Sequence, residues 1–115
     1  MDEQTTSQLL TSLDELQAAV LKNEARNRAM LIRIEFVRSE LEGGARLADL
    51  VSTKSGDGLV ELIAANIKSL DTTGAMFQVV HARSLRSEGL SVAEIASHYG
   101  LPSERVSELL EQGTA

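Results

Sequence analysis

The chain has 115 residues, 43% of them hydrophobic and 24% charged, with a formal net charge of −6. Its length sets one small domain with an extended appendage, and its hydrophobic content excludes a disordered chain. The acidic balance argues against coating nucleic acid by bulk charge, and the absence of cysteine excludes disulfides and thiolate chemistry.

Aromatic residues are only Phe36, Phe77 and Tyr99, so a core must come from Leu, Ile, Val, Ala and Met. With one proline and many strong helix formers, the expected fold class is all-α. The opening "MDEQTTSQLL" lacks the basic and apolar regions of a signal peptide. No run approaches the roughly 20 apolar residues that span a bilayer. The expectation is a soluble cytoplasmic protein without a membrane partner.

Residues 1–44 read as one long helix with a heptad seam. Leu9, Leu16, Asn23, Met30 and Val37 occupy d, and Leu13, Val20, Asn27, Ile34 and Leu41 occupy a. A stripe of that length needs a partner. One reading is a parallel homodimeric coiled coil with these ten residues as the dimerisation seam and the Asn23 and Asn27 layers setting register. The other is an amphipathic helix folded onto the chain's own later helices. Arg33 at g would meet Arg38 at e of a partner, which is repulsive, and Leu10, Leu31, Ile32 and Phe36 lie off the seam. These facts point to extra packing over residues 30–41. Lys22, Arg26 and Arg28 read as a solvated face rather than a phosphate-binding patch.

Gly43 and Gly44 supply the stop for this helix. Residues 45–57 read as a linker: a short helix in "ARLADLV" (45–51), then a loop in "STKSGDG" (52–58), which lacks the spacing of a phosphate loop. Residues 58–115 read as a small helical domain. Its first helix covers 58–70, with Leu59, Leu62, Ile63, Ile67 and Leu70 on one face. "DTTG" (71–74) is expected to end that helix and cap the next, over 75–88.

The last segment carries the strongest pattern. Ser91 and Glu94 have the spacing of a capping box, Gly100 stands where a sharp turn needs positive φ, and Pro102 and Ser103 open another helix running to about Gln112, with Gly113 as its stop. Ile95, Ala96 and Tyr99, then Leu101, then Val106, Leu109 and Leu110 supply facing apolar sides, with the small Ala96 at the crossing. Residues 91–112 therefore read as a C-terminal helix-turn-helix.

The stretch "ARSLRSEGLSVAEIASHYGLPSERVSELL" (82–110) resembles the helix-turn-helix of region four of bacterial sigma factors. With "EGGARLADLV" (42–51), the chain more closely resembles small actinobacterial helix-turn-helix proteins with a helical N-terminal half. The resemblance implies double-stranded DNA as partner and a role in transcription regulation, without naming a target. Such proteins tend to be basic where the second helix starts. Here Ser103 and Glu104 stand there, and only Arg105 and Val106 match.

In a major-groove docking, Pro102, Ser103, Glu104, Ser107, Glu108 and Glu111 would face the bases. Arg83, Arg86 and Arg105 would face phosphates, and Ser91 completes the candidate DNA-binding set. Serine bonds phosphate or base, and glutamate accepts from cytosine N4. Carboxylates beside a polyanion are nonetheless unfavourable. Two functions therefore stay open: a dimeric DNA-binding regulator, or a degenerate helix-turn-helix that binds a protein partner, such as the transcription machinery, without DNA. No enzyme, cofactor or metal site is expected, because His81 and His98 lack carboxylate–histidine spacing and no nucleophile motif occurs.

Overall fold

The computed structural model describes residues 2–51 and 58–112. Among them are the helices α1 (Glu3–Glu42), α2 (Leu47–Val51), α3 (Leu59–Ser87), α4 (Val92–Tyr99) and α5 (Ser103–Gln112), with no strand. The chain is thus all-α, with one long N-terminal helix and shorter helical elements after it. The loop expected in "STKSGDG" falls at 52–57 outside the described residues, as does the expected stop at Gly113.

Local chemistry accounts for the helix ends. Asp2 caps α1: its Oδ1 accepts from the Thr5 N–H at 2.7 Å, and that bond holds the carboxyl below its ordinary value. At the other end Ala45 N–H donates to Glu40 O at 2.9 Å and Gly44 N–H to Leu41 O at 3.0 Å, which satisfies carbonyls that the last turn leaves open.

One boundary differs from the sequence expectation. "DTTG" does not end a helix: α3 runs unbroken from Leu59 to Ser87 through Gly74. Asp, Thr and Gly are poor helix formers, but each costs at most about 1 kcal/mol in a helix interior. Leu62 before the stretch and Ala82 after it are buried, and these anchors, with the helix formers between them, hold the helix across the weak stretch.

By compactness the chain divides into two units: Met1–Ala18 with Thr72–Ala115, and Ala19–Asp71. Each contains part of α1 and part of α3. In the first unit, Ala82 of α3, Ile95 and Ala96 of α4 and Val106 of α5 form the buried centre, with Leu85, Leu90, Val92, Tyr99, Leu101 and Leu110 packed around it. Phe77, His81 and Tyr99 add a ring stack: the centroids are 5.5 Å apart for the first pair and 5.6 Å for the second.

In the second unit the chain folds back on itself. Arg33 of α1 donates to Leu50 O at 3.2 Å, whereas the earlier Asn23 and Asn27 meet Asn66 of α3. Later positions on α1 therefore meet earlier positions on the returning chain, and α1 and α3 are antiparallel. Asn66 Nδ2 donates to Asn27 Oδ1 at 2.9 Å, Asn23 Nδ2 donates to Asn66 O at 3.4 Å, and Arg26 donates to Asn23 Oδ1 at 3.1 Å. One of the two sequence readings aimed these amides at a second chain and the other at the chain's own later helices; here they are engaged within one chain. Asn66 Oδ1 stays buried and unpaired among the described residues. Such a polar layer costs stability and fixes the register of the hairpin.

The heptad pattern splits accordingly. Its d residues Leu9, Leu16, Asn23, Met30 and Val37 are buried or half-buried, as are Ser12 and Ala19 one turn-edge away. Every a residue (Leu13, Val20, Asn27, Ile34 and Leu41) is exposed. One side of the stripe is covered by the same chain, and the other is not.

Candidate nucleic-acid interface

The candidate site is built on the α4–α5 pair. Ser91 precedes α4 in extended backbone, with φ −75° and ψ 160°. Its hydroxyl accepts from the Glu94 N–H at 3.1 Å, while Glu94 Oε1 accepts from the Ser91 N–H at 3.0 Å. Those bonds hold the Glu94 carboxyl below its ordinary value. The helix start is fixed by this reciprocal pair, as the spacing predicted.

Gly100 then turns the chain, with φ 66° and ψ 33°. A side chain in that left-handed region costs roughly 1–2 kcal/mol, which glycine avoids. Leu101 N–H reaches back to Ala96 O at 3.1 Å, and Val106 N–H bonds Pro102 O at 3.3 Å as α5 begins. The helices meet across Ala96, which is buried, and around Ile95 and Val106, which have no exposed surface. A small residue at the crossing lets the backbones approach.

This packing fixes which side of α5 faces outward. Ser103, Glu104, Arg105, Ser107, Glu108 and Glu111 are all exposed, as is Pro102 just before the helix. Arg105 donates to Glu108 Oε2 at 3.0 Å, and both side chains are more than half exposed. An exposed pair of this kind is worth well under about 1 kcal/mol, so Arg105 can exchange Glu108 for another anion.

Arg83 and Arg86 stand one turn apart near the end of α3, both exposed. Arg86 donates to Leu90 O at 3.0 Å and so braces the bend into α4. Together they line a groove of about 360 Å³ with Thr5 and Gln8 of α1 and Leu110 of α5. A neighbouring groove of about 600 Å³ adds Ser12, Glu15, Met76, Val79 and Gln112 to Arg83. The candidate set is thus split: Ser103, Glu104, Arg105, Ser107 and Glu108 share the first turns of α5, Ser91 opens α4, and Arg83 and Arg86 belong to grooves shared with α1. Sequence reasoning missed Thr5 and Gln8. Their only signal is a polar helical spacing beside Ser12, which nothing local distinguishes from a solvated face.

His81 and Tyr99 lie behind this surface. His81 Nδ1 and the Tyr99 hydroxyl are 2.5 Å apart, and burial pushes the tyrosine hydroxyl above its ordinary value. His98 is exposed on α4. Among the described residues no three acidic or histidine side chains cluster as a metal site would require, and no helix is long and apolar enough to cross a membrane.

The chemistry on offer is therefore hydroxyls, carboxylates and scattered guanidinium groups on a rigid two-helix support. Compared with known proteins, the chain matches no family model, no curated protein and no solved structure.

Proposed function

We propose that the chain is a dimeric DNA-binding protein of the helix-turn-helix type that regulates transcription. The observation that carries this reading is the meeting of α4 and α5 across Ala96 around the left-handed Gly100, which buries Val106 and leaves Ser103, Glu104, Arg105, Ser107 and Glu108 of α5 exposed. A helix presented in that way suits the major groove. In this reading Ser103, Glu104, Ser107 and Glu108 address base edges, and Arg83, Arg86, Arg105 and Ser91 address phosphates.

The surface sets the expected strength. Glu104, Glu108 and Glu111 share α5 with Arg105, so the long-range attraction to DNA is weak and affinity is modest or needs a partner. A salt-titrated binding assay on mixed genomic DNA tests the reading. Binding that strengthens as salt falls supports it; no binding at low ionic strength ends it, because phosphate contacts must strengthen under those conditions.

A second reading is favoured by the Arg105–Glu108 pair and the acidic α5. There the two-helix unit docks on a protein of the transcription machinery and has lost its DNA surface. Absence of DNA binding by a folded protein would select it.

A further inference from the structure

The Ala19–Asp71 unit leaves more large apolar side chains outside than it buries. Its buried apolar residues among those described are Ala19, Leu50 and Leu62. By contrast Val20, Leu31 and Ile34 of α1 and Ile63, Ile67 and Leu70 of α3 are each between 39% and 68% exposed.

These six residues share one face. Asn23 and Asn66 mark where the helices meet. At about 100° per residue, Ile34, Val20 and Leu31 lie roughly 20°, 60° and 80° round α1 from Asn23. Leu70, Ile63 and Ile67 lie roughly 40°, 60° and 100° round α3 from Asn66, in the same sense. In an antiparallel pair, equal senses fall on the same side. The opposite side is occupied by α2, whose Leu50 is buried and accepts from Arg33.

We infer that a second copy of this chain seats on the open face, with a two-fold axis at the level of Asn27, so that two helical hairpins close into a four-helix bundle. The stripes are close to palindromic about that level. Reversal about Asn27 sets Val20 against the partner's Ile34 and Asn27 against the partner's Asn27. On α3 a reversal about Ala65, one residue before the Asn66 that bonds Asn27, sets Ile63 against the partner's Ile67. Asn27 Oδ1 already accepts from Asn66, which leaves its Nδ2 group to donate across the axis. A self-complementary face is what an isologous interface requires.

The extent fits as well. With Val60 and Leu41 added, these are eight large apolar side chains of the two helices, 39% to 76% exposed, more than a lone domain usually leaves open. A two-stranded coil on α1 alone would leave the α3 stripe in water.

The inference rests on the two-copy part of the proposed function and not on DNA binding. Its test is native mass at micromolar concentration, with helicity read in parallel. The wild-type protein has the mass of two chains. Ile67→Glu, a change at an exposed site, falls to one chain with its helicity kept, while Leu21→Glu, on the far side of α1, stays at two. Since the chain has no cysteine, Asn27→Cys and Leu21→Cys can each be treated with a short bismaleimide; the first links into dimers and the second does not. A wild-type monomer overturns both the inference and the two-copy reading. A dimer that survives Ile67→Glu, or that links through Leu21→Cys in place of Asn27→Cys, overturns the four-helix geometry alone. DNA binding, measured separately, is untouched by either result.

Discussion

The Tyr99 hydroxyl and His81 Nδ1 are hydrogen-bond partners 2.5 Å apart, and through them α4 is tied to α3 behind the outward face of α5. Tyr99→Phe keeps the ring stack and removes the bond. It is expected to cost about 1 kcal/mol, read as a lower denaturant midpoint with an unchanged slope. The raised tyrosine value has its own consequence. Its contribution is complete below the ordinary tyrosine range and is lost as pH rises through the folded-state value. Wild-type stability should therefore fall at alkaline pH more steeply than that of Tyr99→Phe.

Ser91 and Glu94 hold the start of α4 by two bonds, so Ser91→Ala should cost about 1 kcal/mol. The folded-state Glu94 carboxyl lies below its ordinary value. Its contribution is present above the ordinary carboxylate range and is lost as pH falls through the folded-state value. Thermal melts of wild type and Glu94→Gln should converge on acidification. Melts that stay equally far apart at acid pH would mean the carboxylate charge is not what the cap uses.

Two glycines should respond in opposite directions. At Gly100 the backbone is left-handed with φ 66°, so Gly100→Ala is strained and should destabilise by roughly 1–2 kcal/mol, although a Cβ there meets no atom within 4 Å. Gly74 lies inside α3, and a Cβ there likewise meets nothing within 4 Å. Gly74→Ala should stabilise by roughly 0.5–1 kcal/mol. Denaturant titrations of both variants check the pair.

For the proposed DNA contacts, Arg105→Ala and Arg83→Ala should each lower the dependence of log affinity on log salt by about one, without changing sequence preference. Glu104→Gln and Glu108→Gln should strengthen binding to mixed DNA at low salt. Arginine variants that bind with an unchanged slope would remove those residues from the phosphate surface.

Much of this molecule is written in short-range sequence. The Ser91–Glu94 cap, the turn at Gly100, the start of α5 at Ser103 and the stop at Gly44 each depend on residues within a few positions of one another, so local spacing was enough to place them. The apolar residues that close α4 against α5 are legible for the same reason: a tight turn leaves adjacent helices few ways to bury Ile95, Ala96 and Val106.

What only the tertiary structure decided is what each side of a stripe faces. Heptad spacing places Asn23 and Asn27 on one seam but does not identify the partner, and the two amides turn out to meet Asn66 of the same chain. "DTTG" has the local chemistry of a helix end, yet α3 continues through it, anchored by buried Leu62 before it and buried Ala82 after it. The sequence assigns Arg83 and Arg86 to phosphates with Arg105, and only the fold shows that they line grooves with α1. Caps and turns are settled by bonds a few residues long, whereas the choice between covered and open helix faces depends on contacts some forty residues apart, whose energies no local pattern contains.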